Sequence, residues 1–266
     1  MQLPTYARPP VVEVALSVQF SGQPFRAPRL WSFGAALNAT YPTVRSEPAL
    51  PPMREDFEFV PSAPVVFEML DQFPGTRYVF LSRDESRLVQ IQADRLSHNW
   101  RRVDDVDGAY PSYETIAADF KPLLVEAVSV AGEDAQAAWA EVTYVNHIVT
   151  DPPEAAHQKP DSILSFLADI PRPGADDEFE DGQIQQRFRI REGDKIRGRL
   201  HLHGASAFRN ADAMPIFVLT LTARVSVSKT SQDDMCRALD IGHERIVNGF
   251  TALTTDAMHK IWERQR

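Results

Sequence analysis

Apolar residues recur with period two from Val11 to Phe20. Val12, Val14, Leu16, Val18 and Phe20 face one way, and Glu13, Ser17 and Gln19 the other. That alternation predicts a half-buried strand, begun by Pro9 and Pro10. Leu30, Phe33, Leu37 and Tyr41 then fall at helical spacing, and Pro42 stops the predicted helix. A connector rich in proline follows, with Pro48, Pro51, Pro52, Pro61 and Pro64 and two short strands expected at Phe57 to Val60 and Val65 to Leu70. Tyr78 to Ser82 and Leu88 to Trp100 read as a hairpin around Arg83-Asp84-Glu85-Ser86. Ser112 is placed to cap a helix running to about Val130, ended by Gly132.

The second half begins the same way. Trp139 to Val149 reads as a long strand, and a short helix is expected from Ile163 to Asp169, capped by Asp161 or Ser162 and stopped by Pro171. An acidic loop, Asp176 to Asp181, precedes three expected strands: Gln183 to Arg191, Lys195 to His203 and Pro215 to Val227. Glu192-Gly193-Asp194 joins the first two. Ser231, with Asp234 three residues on, opens a helix expected to reach Arg264, with Leu239, Ile246, Phe250 and Trp262 in its apolar stripe. Gly242 and Gly249 mark either a kink or a close approach to the sheet.

This order predicts an α+β protein: mainly antiparallel sheet with two long helices packed on one face. Residues 1–134 and 135–266 both read β-α-β(n)-α. That suggests either an internal duplication or one continuous curved sheet, and no residue-level repeat decides between them. Neither half has enough apolar residues for two dry sheet faces, so one face is expected to stay open and polar.

Composition narrows the classes. The chain has 266 residues, with 28 Lys and Arg against 37 Asp and Glu, a formal charge of −9. This acidity argues against general nucleic-acid binding unless a local basic patch supplies it. The single cysteine, Cys236, makes no internal disulfide, and its place early in the last helix suggests a lowered thiol pKa. With no signal-like N-terminus and no long apolar run, a cytoplasmic protein without a membrane partner is expected.

Several stretches together carry a resemblance: Pro9 to Val14, Gln90 to Arg101, Glu141 to Ile148, and His243-Glu244-Arg245-Ile246 followed by Phe250 and Leu253-Thr254-Thr255. In these the chain resembles a family of bacterial proteins of about this length, known for its sporadic distribution among genomes and with no assigned function. The resemblance extends over almost the whole chain. It implies a role in a mobile, defence or toxin–antitoxin locus, and it brings no catalytic residues with it.

The basic patch appears in the second half. Arg187, Arg189 and Arg191 alternate with Phe188 and Ile190; Arg197, Arg199, His201 and His203 alternate with Ile196, Gly198, Leu200 and Leu202. Period two puts all of them on one face, and the next strand adds Arg224. Guanidinium forks suit phosphate and carboxylate, so an acidic protein segment, a nucleic-acid backbone or another anion is the expected ligand. The plainer reading is a solvated face whose arginines pair with neighbouring carboxylates.

His201 and His203 also admit two other readings. One is a metal site, which lacks a third ligand at diagnostic spacing and sits among repelling arginines. The other is a hydrolase or nuclease-like enzyme. Neither a phosphate-binding glycine loop nor a nucleophile elbow occurs, and no cofactor is expected. Asn99-Trp100-Arg101 suggests a base-stacking platform or a core edge, and Tyr144 and Asn146 suggest further lining of the open face. The expected function is therefore binding or regulation through the basic face, with the enzyme as the alternative. The oligomeric state, a homodimer included, is left open.

Overall fold

The computed structural model describes residues 2–57, 75–103, 110–132, 135–168, 174 and 176–266. The expected strand at 65–70, and all but the first residue of that at 57–60, lie outside them. So does the end of the short helix expected up to residue 169, together with Pro171.

The period-two run is β1 (Val11–Phe20), which pairs antiparallel with β5 (Arg95–Arg101) on one side and β6 (Ala137–Ile148) on the other. Beyond β5 lie β4 (Arg87–Gln92), β3 (Thr76–Leu81) and β2 (Thr43–Pro48). Beyond β6 lie β9 (Pro215–Ser226), β8 (Lys195–Phe208) and β7 (Gln183–Glu192). The result is one nine-stranded antiparallel sheet in the order β2-β3-β4-β5-β1-β6-β9-β8-β7. Each half starts at the centre, crosses to an outer edge, and meanders inward until its last strand lies beside its first.

Both outer edges are guarded. β7 presents Arg187 and Arg189, β2 is exposed throughout, and Pro48 removes a donor.

Val14, Leu16, Val18 and Phe20 of β1 are at most 1% exposed and sit in the main core. That core joins residues of the sheet with residues of the helices. In α2 (Tyr113–Ala131) the Ser112 hydroxyl accepts from the Thr115 amide, and Ile116, Phe120, Leu124 and Ala127 form the buried stripe. In α4 (Gln232–Leu253) Ser231 accepts from the Asp234 amide at 3.1 Å. α4 packs on β6, β8 and β9, and α2 packs on β5 and touches α4. Gly242 and Gly249 do not interrupt α4. A Cβ on either would lie 3.1 Å from a side chain of the sheet, Val142 or Leu200, so they permit the close approach. No helix among the described residues is long and apolar enough to cross a membrane.

Several boundaries differ from expectation. The first helix, α1 (Ala27–Leu37), starts three residues early, with Pro28 in its first turn, where the missing donor costs nothing. The single strand expected from Leu88 to Trp100 is two, folded at Ala93-Asp94. A short helix α3 (Ala155–Gln158) and two 3₁₀ turns replace the helix expected from Ile163. The C-terminal helix ends at Leu253, where Thr254 bonds back to the Phe250 carbonyl. Thr255 then caps a separate α5 (Asp256–Ile261).

A carboxylate strap across the basic sheet face

Cross-strand register brings the predicted residues into rows. Arg189, Arg199 and Arg224 stand side by side, with Glu141 next on β6; Arg187, His201 and Thr222 form the neighbouring row. All lie on the sheet face opposite the main core. A register shift after Ile190 takes Arg191 out of the alternation, and its guanidinium turns to the Asp194 carbonyl at 3.1 Å.

That face is not open as expected. The same side of β1, β5 and β4 carries Ser17, Gln19, Arg95, Ser97, Asn99 and Gln92, none more than 7% exposed. Buried polar groups of this kind need partners: Ser17 and Ser97 bond each other and Asn99 bonds Glu13, while residues 50–57, running across the strands, serve Gln92, Arg95 and Gln19. Gln92 exchanges two hydrogen bonds with Leu50, its amide accepting from Leu50 N at 2.9 Å and donating to Leu50 O at 3.0 Å. Arg95 donates to Pro51 O at 2.7 Å. Gln19 accepts from Met53 N at 2.5 Å and donates to Met53 O at 3.1 Å.

Further along, Arg199 donates to Asp56 O at 2.7 Å and Arg189 to Phe57 O at 2.8 Å. Phe57 rests 6.3 Å from the Trp139 ring, with the Arg199 guanidinium over its own face at 5.1 Å. Eight extended residues reach about 25 Å. Strands stand about 4.8 Å apart, so the six steps from β4 to β7 span about 29 Å, and the long side chains of Gln92 and Arg189 at the two ends make up the difference.

Its chemical centre is Glu55, whose side chain is 1% exposed. It pairs with Arg199, accepts from Arg224 at 3.2 Å and lies 2.6 Å from His201 Nε2. Arg224 also donates to Glu141 at 2.6 Å. Burial would push the Glu55 carboxyl up, but the His201 hydrogen bond and the charges of His201, Arg199 and Arg224 together hold it below its ordinary value. A carboxylate held this way stays charged, which strengthens its pairing with the Arg199 and Arg224 guanidinium groups.

Arg197 is engaged too, by Glu192 at 3.1 Å and by Ser226 O and Ser228 Oγ at 3.0 Å. Arg187 and His203 remain exposed beside the strap. Among the described residues, no ion pair ties the acidic loop Asp176–Asp181 to these arginines. The carboxylates come from Glu55, Glu141 and Glu192.

Other candidates fall elsewhere. Trp100 is 4% exposed inside the core, so it closes a core edge instead of offering a stacking platform. Tyr144 and Asn146 point to the helix side and not to the polar face. The Cys236 thiol is pushed up by burial, which outweighs the expected helix-terminus effect.

Sequence reasoning missed Glu55 and Gln19. The available signals were glutamines on strands that otherwise read as core, and a connector of 27 residues between β2 and β3, far beyond the usual length. Comparison with protein-family models and with curated proteins finds no significant match.

Proposed function

We propose a non-enzymatic binding or regulatory protein that takes an acidic segment of another protein on the polar face of β7, β8 and β9. One observation supports this above all: the face already holds the chain's own Glu55, with charged forks on the carboxylate and arginines on the backbone carbonyls that follow. Recognition of that type reads a carboxylate and an extended main chain, the two features any acidic strand-like peptide offers.

In this reading α2 and α4 form a common backing on the opposite face, leaving Arg187 and His203 to extend the basic surface beside the strap. The family resemblance adds the setting, a mobile defence or toxin–antitoxin locus in which an acidic partner segment is encoded nearby.

The test uses the full chain and a fluorescent peptide bearing the Arg54–Phe57 sequence. Fluorescence anisotropy is expected to show saturable binding, weakened tenfold or more by Arg187→Glu with His203→Glu. Because both residues are exposed, the melting temperature should move by no more than about 2 °C. Unchanged affinity in the double variant would remove the proposal. Steeply salt-dependent binding of duplex DNA in place of the peptide would replace it with a nucleic-acid reading.

A further inference from the structure

On the other side of the sheet, a cavity of about 290 Å³ opens between β6, α2, α4 and the N-terminal segment. Thr5 and Tyr6 line it and are held from behind: Gln265 N donates to Thr5 O, Ala7 N to Glu263 O, and the Tyr6 hydroxyl bonds Thr251 at 2.8 Å. Val11, Ile246, Val247 and Phe250 form apolar walls. The polar groups are concentrated at one end. The Tyr110 and Tyr144 hydroxyls meet at 2.8 Å, and Tyr144 reaches His243 Nδ1 at 3.0 Å. The Tyr113 ring lies flat on His243, centroids 3.9 Å apart, and its hydroxyl donates to Asp240 at 2.8 Å.

Charge at this end is of one sign. Glu114, in the first turn of α2, lines the cavity, and among the described residues no Lys or Arg does. The Glu114 carboxyl is held below its ordinary value, chiefly by backbone hydrogen bonding at the helix start. His243 is pushed down to about 4, by burial first, so it is neutral near pH 7. Burial raises Tyr110, Tyr113 and Tyr144, so their hydroxyls stay protonated. The cavity therefore combines tyrosine rings, a neutral imidazole and, at its exposed rim, the Glu114 carboxylate. An anion entering it would meet repulsion from Glu114, and a neutral polar head would gain no charge pairing with it.

We propose that this cavity is a binding site for a small organic cation: an ammonium head placed between Glu114 and the tyrosine rings, carried on an apolar body against Ile246, Val247 and Phe250. Ring faces attract cations through their quadrupole, and the effect grows as water is excluded. A carboxylate hydrogen bond to an ammonium is about twice as strong as one between neutral groups. The volume sits at the lower end of the range for small-molecule sites, which suits a ligand of one ring or its aliphatic equivalent. The site is on the face opposite the strap and does not depend on the function proposed for the basic face.

Three probes of one shape test it on the full chain: phenethylamine, 2-phenylethanol and phenylacetate, titrated by calorimetry. Phenethylamine is expected to bind saturably, about tenfold or more tighter than the alcohol, with no saturable binding of phenylacetate. Glu114→Gln should abolish the preference for the amine. Val247→Trp, which fills the cavity, should abolish binding of both. If Val247→Trp fails to fold, the Glu114→Gln comparison decides alone. Equal binding of amine and alcohol, a preference that survives Glu114→Gln, or no binding of any probe would each overturn the proposal.

Discussion

Glu55 and His201 meet 2.6 Å apart although 146 positions separate them in the chain, and the contact joins the β2–β3 connector to the far side of the sheet. The carboxylate is buried and shared with Arg199 and Arg224, so removing its charge strands two guanidinium groups. Arg199 and Arg224 keep some contact with water, which lowers the cost below that of a fully buried pair.

Glu55→Gln is therefore expected to cost about 2 kcal/mol, a fall of roughly 4–8 °C in melting temperature for a chain of this size. The sign with pH follows from the lowered carboxyl. Its stabilisation is complete above the ordinary value of 4.5 and is lost as pH falls through the lower folded value. Thermal melts of both proteins from pH 7 to pH 3 check this. The gap between them should be constant above pH 5 and shrink below 4.5; a gap that persists to pH 3 would contradict the assignment.

Gln19 and Gln92 hold the strap through paired amide contacts, and Met53 is 2% exposed. Gln19→Leu keeps the shape but leaves the Met53 amide and carbonyl buried without partners. The expected cost is about 2 kcal/mol. The local readout is hydrogen exchange at Met53, expected to quicken tenfold or more while β6 and β9 keep their protection. Equal quickening across the sheet would mean that the strap is not separately anchored.

His98 is fully buried, stacked on Phe120 with centroids 6.1 Å apart, and neither ring nitrogen makes a hydrogen bond of ordinary geometry. Burial pushes it down to about 4 from an ordinary 6.5. The unfolded chain thus binds a proton that the folded chain refuses, and stability is full above pH 6.5 and declines as pH falls towards 4. The loss approaches about 3 kcal/mol at the acid end. His98→Leu should remove about one proton from the linkage between pH 6 and 4, measured as a shallower fall of urea-derived stability with pH. An unaltered slope would place the acid sensitivity elsewhere, with His243 the next group to examine.

How far the sequence foretold this molecule depends on which contacts were local. The alternation in β1, β8 and β9 was plain because each strand has one dry face, β7 alternates in sequence although Phe188 stays exposed, and Ser112 and Ser231 announced their helices by their own hydroxyls. β2 was invisible because an exposed edge strand has no apolar face to alternate. The Ala93-Asp94 turn carries no glycine or proline, so two strands read as one. The break at Thr254-Thr255 was hidden because apolar residues continue through Leu253, Met258 and Trp262 on both sides of it. The rows of arginine were legible, and their carboxylate was not: Glu55 lies in a connector whose partners are fixed only when β8 and β9 are paired.

Gly198 and Gly242 separate a rigid constraint from a soft one. A Cβ at Gly198 would stand 1.9 Å from the Arg224 carbonyl oxygen, an atom fixed by the β8–β9 ladder. Gly198→Ala is expected to cost about 3 kcal/mol or more, since backbone must move. At Gly242 the nearest atom is a Val142 methyl at 3.1 Å, which can yield. Alanine there also gains about 1 kcal/mol of helix propensity. Gly242→Ala should therefore fall within about 1 kcal/mol of the parent. Urea midpoints compare the two directly. The difference extends to the basic face, because Arg199 follows Gly198 and Arg224 owns the obstructing carbonyl, so parting β8 from β9 also moves two of the groups that hold Glu55. Gly198→Ala should accordingly quicken hydrogen exchange at Met53 as Gln19→Leu does, and Gly242→Ala should not; a stable, strap-protected Gly198→Ala protein would show that β8 and β9 are less tightly apposed than the ladder requires.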